Sequence, residues 1–196
     1  MTQADLFADP LIAGLEYRED FIARDEERDL LAHLEDMDLA PFRFQGWTGN
    51  RKTKSYGWRY DFDDSSFQPT EPIPAWLEPL RDKASALAEA EIAHALIARY
   101  DPGAGIGWHK DRGVFDRVVG ISLLSTAVLR FRQRTPSGFN RFNLPVEPRS
   151  AYLLSGEARY EWEHRIVPGE ELRFSVTFRT ISDIGRRKAA DFQRSS

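Results

Sequence analysis

The stretch ELRFSVTFRTI, residues 171–181, constrains this chain more than any other. Its side chains alternate: Leu172, Phe174, Val176 and Phe178 fall on one face, and Arg173, Ser175, Thr177 and Arg179 on the other. Such alternation belongs to an extended strand, whose successive side chains point to opposite sides of a sheet. The apolar face requires another layer to cover it. The polar face fits two arrangements. It can be the wet side of an antiparallel sheet, with both arginines in solvent. It can also line a cavity, where two guanidiniums six residues apart would bind an extended dicarboxylate. The strand alone does not choose.

Seven more segments read as strands: 41–45, 53–62, 93–100, 117–124, 127–134, 149–155 and 160–166, most of them separated by turn residues. Two stretches have helical spacing instead. Residues 25–37 put Leu30, Leu31, Leu34 and Met37 on one face, with Asp25 as a candidate N-cap. Around 75–90, Leu77, Leu80, Ala84 and Leu87 form a second stripe, where Pro79 predicts a late start or a kink. The expected class is mainly β with flanking helices (α+β): an all-β core with the helices packed outside it. A chain of 196 residues and 22.5 kDa suits one well-packed domain over 1–196.

Cysteine is absent, which excludes a disulfide framework, a thiolate metal site and a thiol nucleophile. No apolar run approaches the length of a membrane span, and the N-terminus lacks the pattern of a signal peptide. A soluble cytoplasmic monomer, with no membrane partner, is the expectation. Charge is unevenly spread: residues 1–40 carry a net −9 and residues 41–196 a net +5. The larger part could meet an anionic partner. A solvated acidic helix on an ordinary surface explains the same numbers and is the simpler reading.

Four histidines occur, and one of them stands two residues before an aspartate at the mouth of a strand: His109 and Asp111 in GWHKDRG. Two histidines and a carboxylate on one face of a divalent iron leave positions open for oxygen chemistry. His164, on a strand far along the chain, is the candidate third ligand. His33 lies on the acidic helix and His94 in an Ala-rich strand, and both are read as structural. One His-x-Asp pair is weak evidence. Joined to a downstream histidine and then Arg-x-Ser-x-Thr-x-Arg, it is much stronger.

Taken in order, RYDPGAGIGWHKD, SGEARYEWEHRI and LRFSVTFRT resemble the AlkB family of iron(II)- and 2-oxoglutarate-dependent dioxygenases. The resemblance is sharpest over 99–180 and looser over 41–62. It implies a double-stranded β-helix (jelly roll) with N-terminal helices and a substrate lid. An acidic helical start would cover 1–40, the candidate lid 41–62 and the catalytic core 93–181. It implies Fe(II) on His109, Asp111 and His164, and 2-oxoglutarate on Tyr100, Arg173, Ser175 and Arg179, with O2 as second co-substrate. Arg173 would pair with the distal carboxylate and Arg179 would lie near the keto-acid end. Hydroxylation of a substrate C–H bond would accompany conversion of 2-oxoglutarate to succinate and CO2. A hydroxylated N-methyl carbon would leave as formaldehyde.

The expected reaction is thus oxidative demethylation of alkylated bases in DNA or RNA. Alternatives are a tRNA-modifying hydroxylase and a dioxygenase acting on protein or a small molecule. In RKTKSYGWRYDF, residues 51–62, Tyr56, Trp58, Tyr60 and Phe62 recur at period two among Arg51, Lys52, Lys54 and Arg59. Some must be core aromatics. The resemblance puts Trp58 and Tyr60 on the lid that stacks a flipped base, with Trp47 a further candidate. Three positions depart from the family pattern. Ala98 and Ser175 stand where the family often carries Asn near the co-substrate. Arg112 follows the iron-binding pair where base-repairing members can carry an acid, and it cannot accept a hydrogen bond from a base amine. Arg130, Arg132 and Arg134 alternate in VLRFRQR as a candidate basic stripe, more simply a solvated strand face.

Overall fold

In order along the chain, the computed structural model shows strand β1 (Leu15–Arg18), helix α1 (Arg24–Leu34), β2 (Ala40–Phe44), the long β3 (Trp47–Tyr60) and β4 (Phe67–Pro69). A 3-10 turn at Ala75–Leu77 leads into α2 (Glu78–Ala88). Then come β5 (His94–Tyr100), β6 (Ile106–His109), β7 (Phe115–Leu123), β8 (Ala127–Thr135), β9 (Gly138–Val146) and β10 (Ala151–Leu154). The last elements are α3 (Gly156–Tyr160), β11 (Glu163–Ile166), β12 (Arg173–Ile181) and α4 (Asp183–Ser195). The structure describes residues 12–44, 47–61 and 66–195, with the backbone alone at 43, 44, 47–49 and 195. Phe62 and the Trp47 side chain therefore lie outside what is described.

The strands form two antiparallel sheets. The larger runs β1-β10-β7-β12-β5-β3-β2, with β4 added on β3, and the smaller runs β6-β11-β8-β9. They face each other across a shared core in which Leu129 and Phe131 of the smaller sheet pack with Ala98, Tyr100, Val118 and Tyr152 of the larger. This is a jelly roll. Helices α1 and α2 cover the other face of the larger sheet, where Leu30, Leu34, Leu80 and Leu87 meet Ile97, Val119 and Ile121.

That layering decides what β12 does with its two faces. Phe174, Val176 and Phe178 point to the helices and are fully buried. Burial of each contributes about 1.5–3 kcal/mol. Arg173, Ser175, Thr177 and Arg179 consequently point between the sheets and line a cavity. The solvent-facing arrangement is excluded.

Several boundaries differ from expectation. Helix α1 is capped two residues early, at Ala23; the Glu26 carboxylate accepts from the Ala23 N–H at 2.8 Å, and Asp25 sits in the first turn instead. Pro79 lies at the start of α2, where its missing N–H costs nothing, and causes no kink. Residues 160–166 are not one strand: α3 ends at Tyr160 and β11 begins at Glu163. Strands β1, β4, β6 and β9 and helices α3 and α4 are additions to the sequence reading.

The period-two reading of Tyr56, Trp58 and Tyr60 fails at Gly57. This residue has φ +80°, and a Cβ there would lie 2.2 Å from the Ala93 carbonyl oxygen. A local reversal of the alternation results. Tyr56 turns to the helix-side core, whereas Trp58 and Tyr60 join a separate cluster with Phe67, Val114 and Phe115.

Candidate active site

The smaller sheet pairs β11 with β6 so that His164 sits directly opposite His109. Cross-strand partners share a face, and the two imidazole centroids are 4.3 Å apart. Asp111 follows two residues beyond the end of β6, and one ligand atom from each of the three lies within 4.8 Å of the others. The His109 Nδ1–H donates to the Gly107 carbonyl at 2.9 Å, which leaves Nε2 as its ligand atom. Close approach of the strands is possible because Gly105 lacks a side chain; a Cβ there would meet the Ile166 carbonyl oxygen at 2.7 Å.

Charge is ordered around this cluster. Arg179 Nε donates to Asp111 Oδ1 at 2.7 Å, while Oδ2 faces His164 Nε2 at 3.6 Å. Burial pushes the Asp111 carboxyl up, but Arg179 foremost, with both histidines, holds it well below the usual carboxylate range. Burial and then His109 bring His164 down to about 3 against the opposing pull of Asp111. Two neutral imidazoles and one carboxylate with a free oxygen can bind a divalent metal without first losing a proton.

Across the cavity, Arg173 is 4% exposed and donates from Nε to Ser122 Oγ at 3.0 Å. Its guanidinium carbon lies 5.0 Å from the Tyr100 ring centroid, and its Nη1 is buried with no hydrogen-bond partner. A buried unpaired charged donor costs about 1–3 kcal/mol or more. It is matched by an anion entering the cavity, whose volume is about 570 Å3.

The chain matches the model of the 2OG-Fe(II) oxygenase superfamily over residues 19–179. It belongs to that superfamily. Within it, this oxygenase is of the AlkB type. Its sequence is 29% identical over 173 residues to the tRNA (carboxymethyluridine(34)-5-O)-methyltransferase alkbh8 of Xenopus tropicalis, covering 84% of this chain and 27% of that protein. It is 24% identical over 184 residues to the alkylated DNA repair protein ALKBH8 homolog of Arabidopsis thaliana, covering 79% of this chain and 51% of that protein. The chain thus spans about a quarter to a half of these relatives. OsALKBH1 shares the fold, with a TM-score of 0.63 at 16% identity over 85% of this chain and 96% of that one. The oxygenase is an oxidoreductase that uses Fe(II), 2-oxoglutarate and O2. The site fits them: a His-Asp-His donor set suits ferrous iron, and the unpaired Arg173 Nη1 suits a carboxylate.

Three further residues at or behind the cavity have roles that the sequence did not assign them. Arg51 of β3 is 9% exposed, lies 4.0 Å from the Phe42 centroid, and meets the Tyr100 hydroxyl. It stands one residue past the Lys52–Arg99 pair, hence across from Tyr100 and beside Ala98. A guanidinium from the neighbouring strand thus enters the wall where Ala98 offers no polar group. His94, read as structural, also lines the cavity. Burial and then the Arg179 charge keep it neutral, so its Nδ1 accepts from Arg179 Nη1 at 3.3 Å. Arg159 of α3 donates to the carbonyls of Arg112, Phe115 and Asp116 and fixes the loop after Asp111. No local sequence pattern announces these contacts, since each joins segments distant in the chain.

Among the substrate candidates, Tyr60 and Arg112 line the cavity together, the guanidinium 5.2 Å from the ring centroid. Trp58 does not line it. Its ring stacks on Phe67 at 5.1 Å and meets Phe192 of α4 edge-on at 6.5 Å. Ser175 and Ala98 both lie in the wall. Among the described residues, no helix is long and apolar enough to cross a membrane.

Proposed function

We propose that this oxygenase oxidises a C–H bond on a base of a nucleic acid, with a uridine-type base of tRNA as its best-fitting substrate. His109, Asp111 and His164 would hold the iron, and Arg173 and Tyr100 the far carboxylate of 2-oxoglutarate. The bound iron, with 2-oxoglutarate and O2, supplies the oxidant that converts R–H to R–OH while succinate and CO2 are released. The chain's own residues do the rest. Arg179 holds Asp111 ionised and fixes which oxygen faces the histidines. Arg159 keeps the loop that carries Asp111 in place. Ser175 and Thr177 give the wall hydroxyls, and the apolar Leu96, Val118 and Leu129 exclude water.

The observation that carries the substrate reading is the pair of Arg112 and Tyr60 at the cavity. Arginine only donates. A base edge of carbonyl acceptors suits it, whereas the exocyclic amine of adenine or cytosine does not. The tRNA-directed name of the Xenopus relative supports the same choice. Demethylation of alkylated bases is the second reading, supported by the name of the Arabidopsis relative. Nucleoside mass spectrometry after incubation with Fe(II), 2-oxoglutarate and O2 tests both, with bulk tRNA and methylated single-stranded DNA offered side by side. A tRNA nucleoside heavier by one oxygen is expected. Loss of methyl groups from the DNA alone would establish the second reading, and succinate without any nucleic-acid product would overturn both.

A further inference from the structure

The outer face of the smaller sheet carries cations that the catalytic cavity does not use. Leu129, Phe131, Leu144, His164 and Ile166 turn inward, so their neighbours turn out. Arg130, Arg132 and Arg134 on β8, Arg165 on β11 and Arg141 on β9 share this outer face. Register places Arg130 opposite Arg165 and Arg132 opposite Arg141. Like charges set opposite each other in a sheet are destabilising unless something answers them. On these strands one carboxylate does so: Glu163 Oε2 accepts from Arg132 Nε at 2.6 Å. The Nε atoms of Arg130 and Arg165 are buried without a hydrogen-bond partner.

Two aromatic rings hold the guanidiniums in place. Trp108 lies beneath Arg132 at 4.5 Å and Arg165 at 5.0 Å; Phe139 lies beneath Arg132 at 4.9 Å and Arg141 at 5.4 Å. Stacking fixes a planar fork before any ligand arrives, which lowers the ordering cost of binding. Trp108 adjoins His109 and lines the cavity, so the basic face begins at the catalytic mouth. Along β8 its arginines recur about every 6.8 Å, a spacing on the scale of successive phosphates in an extended single strand.

We propose that this face is a track for the phosphate backbone of the strand whose base enters the cavity. The assignment rests on the nucleic-acid reading above and adds where the backbone runs. The charge excess and the stacked arginine forks favour phosphates over a flat hydrophobic partner.

The test uses the exposed pair first. Binding of fluorescein-labelled U20 and dT20 is measured by anisotropy between 50 and 300 mM salt for the wild type, Arg134→Gln/Arg141→Gln and Arg130→Gln/Arg165→Gln. Thermal melting and 2-oxoglutarate affinity check that each variant is folded. Removal of two phosphate contacts should make the slope of log K against log salt shallower by about 1.4, at roughly 0.7 per contact on single strands. An unchanged slope in both double variants, with the wild type binding the oligonucleotides, would overturn the track and leave the nucleic-acid reading standing. Wild-type oxidation of a free nucleoside without oligonucleotide binding would also overturn it. So would poly-glutamate binding to the same face as tightly as U20, which would mark an acidic-peptide surface.

Discussion

Two arginines six residues apart on β12 have been given different work by their neighbours. Arg179 is already engaged, with Asp111 and His94, whereas Arg173 keeps one buried donor free. The free donor marks the anion site. Arg173→Met should weaken 2-oxoglutarate by about 1.5–3 kcal/mol, the worth of a hydrogen bond to a charged group, or roughly ten- to a hundredfold in Kd. Calorimetric titration of the co-substrate reads this directly, and an unchanged Kd would move the anchor elsewhere. Arg51 makes a second case at this scale. If its guanidinium serves the wall that Ala98 leaves bare, Arg51→Met raises the 2-oxoglutarate Kd by several fold and leaves the affinity for Mn(II) alone unchanged. Equal loss of both would make Arg51 a fold residue instead. Sequence reading could not find it, because a basic residue in RKTKSYGWRYDF looks like a phosphate contact until pairing with β5 turns it inward.

Among the elements, β3 shows most clearly what patterns conceal. Alternation identifies it as a strand over 53–62; the structure extends it to Trp47–Tyr60 and pairs it with β5. Its single reversal at Gly57 divides one aromatic run between two cores. Gly57→Ala should therefore destabilise the protein by more than about 1 kcal/mol, since alanine must adopt a positive φ and its Cβ meets the Ala93 carbonyl. Chemical denaturation measures the effect, and a midpoint equal to the wild type would deny the reversal. Strand β12 and helices α1 and α2 were legible because each buries one complete face. Strand β9 was not, for Pro145 and its polar residues suit the edge position that it occupies beside β8. Helix α3 is too short to show periodicity, and its importance lies in Arg159 reaching three carbonyls of another segment. The three metal-ligand candidates could be named from spacing. Their mutual distances needed the β6–β11 register.

At the scale of the whole molecule, the helices and the smaller sheet divide the labour of covering the larger sheet. One side is dry and apolar, the other holds the chemistry. Two acids of α1 take part in this construction, whereas Asp25, Asp29 and Glu35 face solvent. Glu26 of α1 pairs with Lys83 of α2 at 2.6 Å, and Glu27 accepts from the Leu124 N–H at the end of β7. Arg51, Arg173 and Arg179 line the cavity wall, and five arginines share the outer face of the smaller sheet.

Strand β6 is four residues long and forms the edge of its sheet, held by β11 alone. Two of the three ligand candidates depend on it: His109 ends it and Asp111 follows it. A metal ion joining them to His164 would therefore act as a removable cross-link between an edge and the strand beside it. Polymer physics then sets the outcome, since a clasp of this kind suppresses fraying locally and adds to global stability by mass action. Mn(II) at about a hundredfold its Kd should raise the unfolding free energy by about 2.7 kcal/mol. Amide exchange should slow first across residues 106–112. Uniform slowing throughout the smaller sheet would instead mean that the edge was already fastened. Loading with metal thus amounts to the last step of folding, carried out at an edge strand with a single neighbour.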